Sequence, residues 1–109
     1  MKKLVSLLDE ISIPYAYHHF AQGKSPKPPF ICYLFPRSEN FSADGRVYLP
    51  KNMVSLELYS DKKSVQLERK IEAVLDRWGI FYNKSELYID SEKLYEVLYQ
   101  FSMEVEYEE

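Results

Sequence analysis

The chain has one cysteine, three glycines and no threonine among its 109 residues, and each shortage removes a class of chemistry. With Cys32 alone, no internal disulfide forms and neither C-x-x-C nor a four-ligand zinc pattern can be built, which suits a reducing cytoplasm. The glycines are scattered, so there is no G-x-G-x-x-G and no Walker loop to cradle phosphate. A nucleophilic triad also lacks its parts: there is no G-x-S-x-G elbow, and Cys32 lies in an apolar run, where a thiol is inert. Basic charge is short as well. Fourteen Lys and Arg against seventeen Asp and Glu give a net charge of −3 and a pI near 5.4, which argues against free DNA or RNA as the main ligand. The opening "MKKLVSLLDEIS" meets Asp9 and Glu10 too soon for a signal peptide, and no stretch approaches the roughly 20 apolar residues of a membrane span.

What is present is apolar and aromatic. Hydrophobic residues make up 46% and charged residues 28%, as in a globular chain, and the length fits a single domain over residues 1–109. Ten tyrosines bring the aromatic content to 16%. Tyrosine combines a large contact area with a polar tip, which suits half-buried sheet faces and protein interfaces.

Leu4, Val5, Leu7, Leu8 and Ile11 recur at helical spacing, so the pattern predicts an N-terminal helix over about 1–12, closed by Pro14. Ile13 to Phe20 reads as a short strand and Gly23 to Pro29 as a proline-rich loop. "FICYLF", Phe30 to Phe35, reads as a buried strand ended by Pro36. Asp44-Gly45 marks a tight turn with Phe41 on one side and Val47 to Leu49 on the other. "MVSLELYS", Met53 to Ser60, alternates as a strand, with Val54, Leu56 and Leu58 pointing one way. The main helix spans about 64–78: Ser64 is its N-cap, Leu67, Ile71, Val74, Leu75 and Trp78 its apolar face, and Gly79 its stop. Ile80 to Tyr82 and Glu86 to Ile89 read as extended pieces around a polar turn, "NKS". A long C-terminal strand then alternates from Tyr95 to Tyr107, with Glu96, Gln100, Ser102, Glu104 and Glu106 on its polar side. The expected class is α+β, a mainly antiparallel sheet packed with two helices.

Candidate chemistry is thin. His18 and His19 are the only histidines, and neighbours on an extended chain point to opposite faces, so they do not readily share a metal; one is expected to pack inward and the other to face solvent. Asp90 with Glu92, or Glu104 with Glu106, reads as a solvated face and a charged strand edge rather than an acid/base pair. Lys24, Lys27, Arg37, Arg46 and Lys51 form a sparse basic set in loops, open to solvent or to an acidic protein neighbour. An enzyme using His18 or His19 lacks a second catalytic group, and no cofactor or metal is expected.

Several stretches in order, "PPFICYLFP", "NFSADGRVY", "LELYSDKK", "GIFYNKSE" and "SEKLYEVLYQF", resemble the small tail terminator, or tail-completion, proteins of long-tailed phages and prophages of Gram-positive bacteria. The resemblance runs over most of the chain from Ala16 onward and contains no catalytic signature. It implies an α+β fold and a non-enzymatic structural role: a ring of subunits, usually a hexamer, that caps the tail tube, ends its polymerisation and joins the head connector. It also implies a life in the host cytoplasm during assembly and then in the virion tail. A ring needs heterologous contacts, one patch of each subunit meeting a different patch of the next. The surfaces expected to supply them are Tyr17, His19, Lys24, Lys27, Arg37, Arg46, Tyr99 and Tyr107. The long loops from Gly23 to Pro29 and from Glu39 to Arg46 are expected to touch neighbours, and the C-terminal strand to add to a neighbouring sheet edge through its tyrosines. The alternative is a soluble adaptor or regulatory module that binds a protein through the same aromatic surface.

Overall fold

The computed structural model describes residues 2–20, 26–38, 41–43, 46–49 and 51–104. Two helices, α1 (Lys2–Ile11) and α2 (Val65–Arg77), accompany seven strands: β1 (Tyr15–Tyr17), β2 (Phe30–Ser38), β3 (Phe41–Ala43), β4 (Arg46–Leu49), β5 (Lys51–Ser60), β6 (Asn83–Ile89) and β7 (Leu94–Glu104). Five strands form one sheet in the order β1-β2-β5-β7-β6, and β3 pairs with β4 in a small separate sheet. Only the β1–β2 pair is parallel; β2–β5, β5–β7 and β6–β7 are antiparallel. The fold is α+β, as the periodicities predict.

Both helices cover the same face of the sheet. Leu4, Leu7, Leu8 and Ile11 of α1 and Ile71, Val74 and Leu75 of α2 close on Ile31, Val54, Leu56, Leu58, Val97, Tyr99, Phe101 and Met103 of the strands, in one buried cluster. Val5, outside that stripe, is exposed. Each fully buried leucine or isoleucine contributes roughly 1.5–3 kcal/mol by leaving water, so this cluster dominates stability.

The helix boundaries follow their capping residues. Ser64 accepts a hydrogen bond from the Leu67 amide at 3.2 Å and fixes the start of α2. Gly79, at φ +68°, follows the last turn in the left-handed region that helix stops favour. Ser12, at φ 60°, turns the chain out of α1 before Pro14 is reached.

Four expectations are corrected. Pro36 does not end its strand: β2 continues to Ser38, because the register slips by one residue between Leu34 and Arg37 and a bulge tolerates a residue without an amide hydrogen. "NKS" is no turn, since Asn83 opens β6 and pairs with Gln100 as part of a seven-residue edge strand; the polarity that suggested a turn belongs to an exposed edge. Ile80 to Tyr82 lies outside any strand. Over Leu94–Gln100 the C-terminal strand is not a sheet edge, because β5 and β6 flank it there, whereas Phe101–Glu104 pairs with β5 alone. The expected hairpin is present as β3 paired with β4, while Asp44-Gly45 itself lies outside the described residues.

Candidate interaction surfaces

The helix-covered face holds a compact ion network. Glu68 of α2 is 3% exposed, a charge on the otherwise apolar stripe of its helix. Its carboxylate oxygens lie 2.7 Å from Lys63 Nζ and 2.7 Å from Lys84 Nζ. Lys84 also reaches Glu72 at 2.8 Å, and the Tyr99 hydroxyl donates to Glu72 at 2.7 Å. Burial opposes ionisation of both carboxyls, yet the ammonium groups, joined at Glu72 by the Tyr99 hydroxyl, outweigh it and hold them below the usual carboxylate range. Burial and the Glu72 carboxylate push the Tyr99 phenol far up. Every charge here has its counter-charge, so the network ties α2 to β6 and β7 and leaves no group poised to react.

Neither described helix lies on the other face of the sheet. Cross-strand register places Phe30 beside Tyr59 and Glu96, Cys32 beside Glu57 and Leu98, and Leu34 beside Ser55 and Gln100. The rings of Phe20, Phe30 and Tyr59 form a chain with centroid separations of 5.4 and 5.3 Å. Tyr59 donates its hydroxyl to Glu57 at 3.2 Å. Burial, then the negative charge of Glu57 and a hydrogen bond to it, push the Glu96 carboxyl above its ordinary value. The Cys32 thiol is driven up to about 11, first by burial and then by Glu57 and Glu96, which leaves it un-ionised and unreactive at neutral pH.

A third surface is aromatic. Tyr17, half exposed at the β1 edge, meets Tyr33 at 5.4 Å and Phe35 at 5.6 Å, and Tyr15 meets Tyr33 at 6.1 Å. At the opposite edge, Leu87 and Tyr88 of β6 are also about half exposed. A fourth surface is the β3–β4 hairpin, inserted between β2 and β5, which touches the rest of the fold only marginally among the described residues. Finally, clefts of about 520 and 420 Å³ flank Gly79 and Ile80 at one end of the sheet; Arg37 and Met53 line the first, and Lys3, Lys51 and Glu104 the second.

The sequence-predicted interaction residues scatter among these surfaces. Tyr17 and Lys27 are exposed, and Arg37 is exposed just past the β2 bulge. Arg46 opens β4. Lys24 and Tyr107 lie outside the described residues. Tyr99 is fully buried, so it anchors the core rather than a partner. Neither histidine packs inward: β1 ends at Tyr17 and His18, at φ 63°, turns the chain, so both side chains are exposed. Their rings meet edge to face at 5.1 Å, and His19 Nδ1 donates to the Phe20 carbonyl at 2.9 Å. Among the described residues no group of three or more His, Cys, Asp or Glu could hold a metal ion, and no helix is long and apolar enough to cross a membrane.

Sequence reasoning missed the diagonal approach of Glu57, opposite Leu98, to Glu96, opposite Tyr59. Both sit on the polar phase of alternating strands, and only the register reveals that they are neighbours. Glu68 left a signal, standing one residue from Leu67 and three from Ile71 on the apolar side of α2. No protein-family model matches this chain, and no curated protein matches it either.

Proposed function

We propose that this chain is a non-enzymatic structural protein of a phage or prophage tail, which caps the tail tube as a ring of subunits and helps join tail to head. The observation that carries the reading is the β3–β4 hairpin. Among the described residues its strands make little contact with the other elements, and they lie mostly in "NFSADGRVY", one of the stretches in which the resemblance to tail terminators lies. A two-stranded arm with few such contacts suits engagement with an adjacent ring. The α+β architecture agrees with the family's fold, and the two sheet edges, with Tyr17 at one and Leu87 and Tyr88 at the other, offer different patches for heterologous contact. The partners are then the tail-tube protein, the head connector proteins and further copies of the chain, probed by mixing purified protein with tail-tube protein and imaging the tube ends by electron microscopy. Decoration confined to tube ends is expected, and bare ends would overturn the reading.

The second reading is an adaptor that binds a protein through the ring cluster of Tyr15, Tyr17, Tyr33 and Phe35. Exposed Tyr17, packed at a sheet edge on rings that are themselves half buried, is its support. Co-purification of a host protein, lost on Tyr17→Ala while tube capping is absent, would favour it.

A further inference from the structure

The helix-free face carries two neighbouring carboxylates, and the outer side of α2 carries two neighbouring cations. Glu57 and Glu96 lie together on the helix-free face, and among the described residues no lysine, arginine or histidine pairs with either. Arg69 and Lys70 stand exposed on the outer side of α2, and among the described residues neither pairs with a carboxylate. The carboxylates are set among half-buried Phe30, Tyr59, Leu98 and Met53, an apolar surround that strengthens any charge pairing made against it. Ala73 follows Arg69 by one helical turn and is exposed too, so the outer side of α2 has room to approach a sheet closely.

We propose that the helix-free face of the sheet binds the outer face of α2 of a second copy of the chain, with Arg69 and Lys70 of that copy meeting Glu57 and Glu96. One copy cannot make this contact with itself, because α2 lies on the opposite side of the same sheet. The contact is therefore head-to-tail, the kind that closes into a ring or extends as a stack. An arginine suits the site, since its planar fork can donate to both carboxyls at once. The proposal deepens the ring reading and rests on it for the biological setting, but its chemistry stands on the complementary faces alone.

A charge swap between two variants tests it, read by sedimentation velocity over a concentration series reaching the millimolar range. One variant carries Glu57→Lys with Glu96→Lys, the other Arg69→Glu with Lys70→Glu, and circular dichroism checks that each is folded. Wild type is expected to self-associate, each variant alone to lose about ten-fold or more in association, and a mixture of the two to recover it, since the lysine face of one then meets the acidic helix of the other. Should either variant fail to fold, Glu96→Gln takes its place and is expected to weaken association while preserving the fold. A monomeric wild type, or single variants that associate like wild type, would overturn the proposal. Electron microscopy of tube ends separates this from the ring reading: capping that survives both charge variants sinks the contact alone, while a working charge swap with bare tube ends sinks the tail role alone.

Discussion

On the helix side of the sheet, Glu68 and Glu72 lie between the ammonium groups of Lys63 and Lys84; on the open side, Glu57 and Glu96 have each other and the hydroxyl of Tyr59. The first arrangement is self-sufficient: its carboxyls are held low and its lysines high by mutual pairing. The second is incomplete, with Glu96 pushed up by burial and by a neighbour of like charge. A fold that satisfies charges on one side of a sheet and leaves them in conflict on the other assigns the two sides different work. The covered side stabilises the fold, and the open side carries acidic groups that no described cation neutralises.

Truncation of one leucine on each side breaks this comparison most sharply. Leu56 is 1% exposed among the helix-side cluster, and Leu56→Ala is expected to cost about 3 kcal/mol. Leu98, on the other face and only partly buried, should lose less than about 1 kcal/mol as alanine. Urea melts of the two variants measure the gap directly. Equal losses would mean that the open face is part of the core.

Tyr99→Phe probes the join between network and core. The phenol donates to the Glu72 carboxylate at 2.7 Å from a fully buried ring. Removing it leaves packing intact but deprives a partly buried carboxylate of a donor, for a loss of about 1.5 kcal/mol that thermal unfolding would register. A neutral outcome would mean that water replaces the hydroxyl.

Much of this fold is legible in the sequence, for identifiable reasons. The apolar stripe of α2 between Ser64 and Gly79 and the strict alternation from Tyr95 to Met103 reflect single elements buried on one face, and such periodicity needs no tertiary knowledge. Pro36 and "NKS" misled because local preference yields to pairing: a bulge absorbs the proline, and an edge strand tolerates polar residues that a central strand would not. The surfaces were less legible. Tyr99 and Tyr95 are alike in sequence, yet only the first is fully buried, because Tyr99 pairs with Leu56 beneath α2 whereas Tyr95 pairs with Ser60 and Tyr88 at the strand end. The conflict of Glu57 with Glu96 is a product of register between two strands separated by a helix and a further strand in the chain.

The smallest effects distinguish the two sides by sign. Glu68 titrates lower in the folded chain than in the unfolded one, so its ionised form stabilises the fold; that contribution is present above the ordinary carboxylate range and is lost as pH falls through the folded value. Glu68→Gln should therefore destabilise at neutral pH, by about 1 kcal/mol because Lys63 and Lys84 are about a third exposed, and the deficit should vanish in acid. Glu96 titrates higher when folded, so its ionised form costs stability; the cost is absent in acid, grows as pH rises and is complete above the folded value. Glu96→Gln should then stabilise at neutral pH by about 0.5 kcal/mol, little because the group is partly solvated, and leave acid stability unchanged. Thermal melts of both variants across a pH series would give curves that diverge in opposite directions from wild type above about pH 4. Curves that diverge in the same direction would mean that the carboxylates of the open face are already neutralised within one subunit, and the contrast between the two faces would fall with them.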